Sequence, residues 1–293
     1  MLALIAGTGD LPAALVTALP DRPLICALEG FSPRVTADVT FSIERLGGFL
    51  ADLRARGITH ICMAGAVRRP QVRLRRLDLA TVPLVPVILR AMRSGDDGAL
   101  RGFIAVLEAK GFTVVAAHEV APDLLPPPGV PTRVQPGPGH TLDALMGQGQ
   151  VALMGTADLG QACVVQDGRV LATEDDAGTD AMLARLTPVT PRKPMEGDPL
   201  WWVIDTIADQ FAPPPPPEVD LSRAILFKAP KPAQDRRADL PVIGVGTAIT
   251  AAAAGLAGLV IEAGGVMVLD RAGVIDVLDA QGMFLWVREG DAR

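Results

Sequence analysis

The chain has 293 residues, a formal net charge of −6, hydrophobic residues at nearly half its positions, and three cysteines. Its acidic balance gives no general attraction for nucleic acid. Cys26, Cys62 and Cys163 stand far apart without C-x-x-C spacing, which argues against a disulfide framework and fits a reducing, cytoplasmic setting. The apolar start MLALIAGTGDLP lacks a basic leader and is broken by Gly7, Gly9 and Asp10, so it does not read as a signal peptide; the longest apolar run, about 245–261, is too short to span a bilayer.

From the N-terminus, short β-rich runs alternate with amphipathic ones: LALIA, LPAALVTAL, PLICALE, VTFSI, LGGFLADLRARG, ITHICMAGAV. This alternation predicts βαβ units, hence a mostly parallel sheet with helices on its faces. Helical runs over 82–92 and 98–110 and the strand FTVVAAH complete a first domain. The stretch PDLLPPPGVPTRVQPGPGH is too proline-rich for a helix or central strand and carries the boundary. The expected architecture is α/β in two domains: an N-terminal Rossmann-like domain over 1–130 and a C-terminal mixed α/β domain over 131–293.

Beyond the boundary, ACVVQ-DG-RVLAT predicts a hairpin, because Asp167-Gly168 suits the turn that right-twisted strands prefer. GTDAMLARL reads as a short helix and 201–211 as another, followed by an extended PPPPP at 213–217. The strand AILFK then leads into KAPKPAQDRRADLPVIG, which has neither helical nor strand periodicity. After it come a helix in GTAITAAAAGLAG, strands LVIEA and VMVLD, a helix through Ala280 and the strand MFLWV.

Several motifs carry chemical interest. GTGDLP follows a strand and opens a helix, with Asp10 placed to cap it and backbone N–H groups able to hold an anion. Pro12 stands where a dinucleotide fingerprint wants its third glycine, while Glu29 has the ribose-contact spacing; a plain tight turn is the alternative. His60, His118 and His140 are too scattered for a zinc site, and neither G-x-S-x-G nor a Walker motif occurs. SGDDG offers paired carboxylates before a helix, for which helix capping with charge favourable to the dipole is the better reading. GTDAM could bind phosphate through helix N–H groups and the Thr179 hydroxyl, with Asp180 in the first turn, or could simply cap its helix.

KAPKPAQDRRADLPVIG collects Lys228, Lys231, Arg236 and Arg237 with Asp235 and Asp239. Cations neutralise phosphate oxygens, and carboxylates can hold a hard cation that keeps most of its waters. The mixture suits a diphosphate bound as its Mg2+ complex and attacked by an activated water. A solvated, salt-bridged loop is the alternative.

Taken in order, LALIAGTGDLP, AGAVRRP, SGDDGALR, AAHEVAPDLL, DLGQACVV, GTDAMLAR, KAPKPAQDRRADLPVIG and AGLAGLVIEAGGVMVLDRAGVI resemble the LpxI family of UDP-2,3-diacylglucosamine pyrophosphatases. The resemblance implies hydrolysis of UDP-2,3-diacylglucosamine to UMP and 2,3-diacylglucosamine 1-phosphate, a cytoplasmic step in lipid A synthesis. It also implies dependence on Mg2+ and a substrate bound between two domains. The family's Arg-x-Asp-Leu-Pro motif is Arg237-Ala238-Asp239-Leu240-Pro241 here, which implies Asp239 as metal ligand or water-positioning group, with Asp235 and Gln234 supporting the metal and its waters. Lys228, Lys231 and Arg237 become candidate phosphate contacts. Gly7, Gly9, Asp10, Leu11 and Gly65 would line the nucleotide or sugar side, and Thr179 and Asp180 follow.

The implied partners are a lipid-linked UDP-sugar, the inner-membrane surface in a weak peripheral contact, and a second copy in a homodimer; nucleic acid is not among them. Two departures stand out: Val242 replaces a family threonine, and Ala177 a family glutamate, with Glu174 or Asp176 the nearest substitutes. The stretch 187–223, with Trp201-Trp202, is longer than expected of the family and reads as a flap near the acyl chains or, the safer reading, an outward loop. Two further readings stay open: a non-catalytic sugar-nucleotide or lipid-binding protein, which the departures favour, and a nicotinamide-dependent oxidoreductase built on GTGDLP and Glu29.

Overall fold

The computed structural model describes residues 1–67, 72–93, 96–157, 159–187, 220–232 and 234–290. Strands β1 (Leu2–Ala6), β2 (Leu24–Leu28), β3 (Val39–Phe41), β4 (His60–Ala64) and β5 (Thr113–Val115) form an all-parallel sheet in the order β3-β2-β1-β4-β5. A parallel sheet is covered on both faces, and these strands are accordingly apolar on both. Ala3, Ile5, Cys26 and Ile61 pack with Leu50 and Leu107 on one side, while Leu4, Ala6, Ile25 and Cys62 pack with Leu11 and Leu15 on the other. The expected Rossmann-like N-terminal half is observed.

The second sheet uses β6 (Ala162–Gln166), β7 (Arg169–Thr173), β8 (Ile225–Lys228), β10 (Gly258–Glu262) and β12 (Phe284–Arg288), in the order β12-β10-β8-β6-β7. Strands β12, β10 and β8 run parallel, whereas β6 is antiparallel to both β8 and β7, so this half is mixed. The β6–β7 turn carries Asp167 at φ 50° and Gly168 at φ 72°, the left-handed pair that its Asp-Gly sequence predicts. Two short strands, β9 (Val242–Ile243) and β11 (Met267–Val268), pair in parallel beside it.

One long element departs from the sequence expectation. The helix Pro138–Thr156 starts inside the proline-rich stretch, with Pro138 in its first turn, where a missing N–H costs nothing. Its glycines hide it from propensity, yet Gly147 is required by packing: a Cβ there would sit 2.5 Å from the Cβ of Phe227 on β8. His140 accepts from the Gly137 N–H at 2.9 Å, so this histidine caps the helix. The expected helix over 201–211, the proline run, Arg68-Arg69 and Ser94 lie outside the described residues.

A shared apolar cluster joins the halves. Leu240, Met267 and Leu269 of the C-terminal half pack with Leu4, Leu11, Leu15 and Ala64 of the N-terminal half. Ala238 leans on the other N-terminal core. No helix among the described residues is long and apolar enough to cross a membrane.

Candidate functional site

The strand order of the first sheet reverses between β1 and β4, and the crevice beyond the C-terminal ends of these strands is the usual ligand position in such sheets. Two loops meet there. Gly7 N donates to Ala64 O at 2.8 Å, while Thr8 and Ala66 exchange backbone bonds at 2.9 and 3.0 Å. Such closeness demands glycine on both sides. A Cβ on Gly7 would lie 2.6 Å from Ala66 O, and one on Gly65, at φ +89°, would lie 2.5 Å from Thr8 O.

Above these loops a cleft of about 710 Å³ separates the two halves. Gly9, Asp10, Leu11 and Gly65 line it from the N-terminal side, and Thr179, Asp180, Lys228, Arg237 and Asp239 from the C-terminal side. These nine candidate site residues therefore share one cavity, and Arg236 lines it too. Gly7, Lys231, Gln234 and Asp235 do not line it, and neither does Glu29, which the dinucleotide reading requires. Asp10 occupies the N-cap position of the helix Leu11–Ala18 but makes no capping bond; its carboxylate is instead bonded to Arg34, a nearby guanidinium being the stronger partner.

Lys228 is the most unusual group present. It ends β8 and is only 6% exposed, and a lysine is rarely buried without a partner. Its Nζ donates to Thr179 Oγ1 at 2.8 Å, leaving two N–H bonds without a protein acceptor among the described residues. Burial pushes its pKa down, against the opposing charges of Glu174, Asp180 and Asp239. Thr179 was expected to offer its hydroxyl to phosphate. It is buried instead, and that hydroxyl donates to Glu174 Oε1 at 2.5 Å while accepting from Lys228.

The segment after β8 divides its charges. Gln234 is buried, and its amide donates to Asp239 Oδ2 at 2.6 Å and to Gln161 Oε1 at 3.1 Å, so it orients the aspartate from behind. Asp235, expected to support a metal, has both oxygens engaged by Arg237 at 2.7 and 3.0 Å. That pairing holds the Asp235 carboxyl below its usual range. Lys231 contributes its backbone N–H to Gln234 Oε1 at 2.9 Å.

Two helix starts face the cleft, those of Thr179–Leu186 and Val245–Ala253. Unpaired N–H groups and the aligned peptide dipoles at such ends favour an anion. Thr247 Oγ1 bridges them by donating to Asp180 Oδ1 at 3.4 Å. Sequence reasoning missed the second start and Gln161. The signal was present in Gly244 and Gly246, which flank the first helical residue and leave the backbone uncovered. Among the departures, Val242 lines the cleft and packs on the interdomain cluster, and Ala177 also lines the cleft. Glu174 is buried at the cleft wall, whereas Asp176 is exposed.

Among the described residues no group of three or more His, Cys, Asp or Glu side chains forms a metal cage. Mg2+ does not need one. It commonly binds through one or two carboxylates, substrate phosphates and waters, and Asp239 Oδ1 has no hydrogen-bond partner among the described residues.

A two-domain α/β protein with a buried lysine, an oriented carboxylate and two helix starts around one cleft has the chemistry to receive an anionic ligand there. Models of the LpxI N-terminal and C-terminal domains match residues 1–124 and 127–286. The chain belongs to the LpxI family. It is 36% identical over 297 residues to UDP-2,3-diacylglucosamine pyrophosphatase LpxI of Caulobacter vibrioides, covering 97% of this chain and 96% of the relative.

Proposed function

We propose that this chain hydrolyses the diphosphate of UDP-2,3-diacylglucosamine, releasing UMP and 2,3-diacylglucosamine 1-phosphate. The observation that carries the reading is Lys228: a buried lysine, bonded to Thr179, that lines a cleft also holding Asp239. Cleaving a phosphoanhydride asks chiefly for charge neutralisation and alignment, since little covalent chemistry falls to the protein. Lys228, Arg237 and the two helix starts supply positive potential for the phosphate oxygens. Asp239, held by Gln234, orients the attacking water or an ion bound to it.

In this reading Asp239 is the residue that would hold Mg2+, which when bound would neutralise phosphate charge and lower the pKa of a bound water. Asp235 acts one step back, setting the Arg237 guanidinium. Gly9, Gly65 and the neighbouring loop backbone receive the nucleotide or sugar. The acyl chains tie the substrate to the inner-membrane surface, and a peripheral contact and a homodimer both belong to this proposal. Helix Pro138–Thr156 offers Leu142, Leu145, Met146 and Leu153, all exposed, for such contacts. Vesicle flotation and sedimentation analysis distinguish the two.

The test is release of UMP from UDP-2,3-diacylglucosamine, with and without Mg2+, by the wild type and Asp239→Ala. Metal-dependent turnover lost in a variant that still binds substrate is the expected result. Tight binding with no turnover by the wild type under any divalent cation would instead establish a binding protein.

A further inference from the structure

We propose that Glu174 is a positioning residue for this hydrolysis, joining Lys228 and Asp239 through its two carboxylate oxygens. The inference rests on the reading of the cleft as a phosphoanhydride hydrolase site and adds to it a group that touches neither phosphate nor metal.

One arm runs from Glu174 Oε1 to Thr179 Oγ1 at 2.5 Å and on to Lys228 Nζ at 2.8 Å. The other runs from Glu174 Oε2 to the Gln161 N–H at 2.6 Å. The Gln161 side chain then meets the Gln234 amide at 3.1 Å, and that amide holds Asp239 at 2.6 Å. The loop is shaped around this carboxylate: a Cβ on Gly160 would lie 2.5 Å from the Glu174 Cβ. Close wrapping of this kind fixes both oxygens, so the side chain cannot satisfy one arm at the expense of the other.

The electrostatic need is specific. A lysine removed from water loses its proton readily unless negative charge stands near it, and a neutral amine neutralises no phosphate. Among the described residues the negative charges of Glu174, Asp180 and Asp239 favour the protonated Lys228, while Arg236 and Arg237 line the same cleft. Asp180 is exposed and Asp239 half-buried, whereas Glu174 is 8% exposed, so its field is the least screened by solvent. Asp239 is further committed to the water or ion it orients. Glu174 is thus the charge that keeps Lys228 an ammonium while the other two carboxylates serve the cleft.

The sign of the effect follows. Glu174→Gln keeps the shape and can still accept from the Gln161 N–H through its amide oxygen, but its NH2 cannot accept from the Thr179 hydroxyl and the charge is gone, so the Lys228 proton is lost at lower pH. The alkaline limb of the kcat/KM profile should move down by about one pH unit. Glu174→Asp keeps the charge and should leave the alkaline limb where it is, even if the shorter arm slows turnover.

A second measurement needs no turnover. Calorimetry of UMP binding in buffers of different ionisation enthalpy counts the protons taken up, and Glu174→Gln should take up more than the wild type at alkaline pH. If wild type fails to hydrolyse the lipid nucleotide, the proposed function fails and the calorimetric result still judges Glu174. A Glu174→Gln variant that melts earlier but keeps the wild-type alkaline limb and proton uptake overturns the inference, because its role is then merely structural.

Discussion

Arg237 spans the junction between the two halves of the molecule. Its Nη1 donates to Glu108 Oε1 at 2.6 Å, while Nε and Nη2 are gripped by Asp235 at 3.0 and 2.7 Å. The two carboxylates are unequal partners: Asp235 is largely shielded, at 15% side-chain exposure, and Glu108 is 47% exposed. A shielded, forked pair fixes a guanidinium, and an exposed single bond is screened by water. Asp235→Asn should therefore raise KM for the lipid nucleotide about tenfold, whereas Glu108→Gln should change it by less than about threefold. Steady-state kinetics at fixed ionic strength decides. Equal effects would mean that the interdomain bond, and not the fork, sets the guanidinium.

The same fork predicts an acid limit on stability. Hydrogen bonds from Arg237 lower the Asp235 pKa in the folded protein, so the unfolded chain binds the proton more tightly. The stability contributed by this pair is present above the unfolded carboxylate value near ~4 and is lost as pH falls through the lower folded value. Urea unfolding at pH 7, 4 and 3 should show Asp235→Asn losing less stability between the last two values than the wild type.

Asp239→Asn retains an oxygen able to accept from Gln234 but removes the charge. Turnover should fall at least about a hundredfold with little change in KM. Chelation should abolish wild-type activity, and Mg2+ should restore it. Wild-type turnover that survives exhaustive chelation would remove the metal from the reading.

Gly65 and Gly9 both sit at positive φ, +89° and +94°, but only Gly65 faces an obstacle. Alanine at 65 meets Thr8 O as well as backbone strain and should cost more than about 2 kcal/mol. Alanine at 9 meets open space and should cost about 1 kcal/mol from strain alone. Thermal melts of the two variants test the difference.

Burial raises the pKa of Cys26, Cys62 and Cys163 to about 12. Thiolate is the reactive form, so none of the three should react with a maleimide in the native protein at pH 7.5, and all three should react in denaturant. Intact mass spectrometry counts the labels.

Much of this architecture was readable in the residues because parallel strands announce themselves as apolar runs. LALIA, LICAL and HICMA lie in adjacent strands as their composition suggests. The hidden element was the helix Pro138–Thr156, whose Gly147 is selected by contact with Phe227, a partner 80 positions away. The site divides in the same way. Charges concentrated in one segment, such as Arg237 and Asp239, can be picked out from composition. Spatial sharing cannot, and so Thr179 was assigned to the ligand when its hydroxyl is consumed by Glu174 and Lys228. Asp235 was likewise assigned to metal support, although Arg237, two residues on, takes both its oxygens.

The two sheets also differ in when they can be completed during synthesis. Every strand of the first comes from the opening 115 residues, so that half can form while the remainder is still being made. The second must wait for β12, which pairs with β10 and also receives Gly129 through reciprocal backbone bonds to Val287. Until that strand leaves the ribosome, β10 presents a bare edge and Lys228, one strand further in, has no finished wall around it. A chain still lacking β12 thus carries a complete first sheet next to an unfinished second one, whose wall of the cleft is not yet in place.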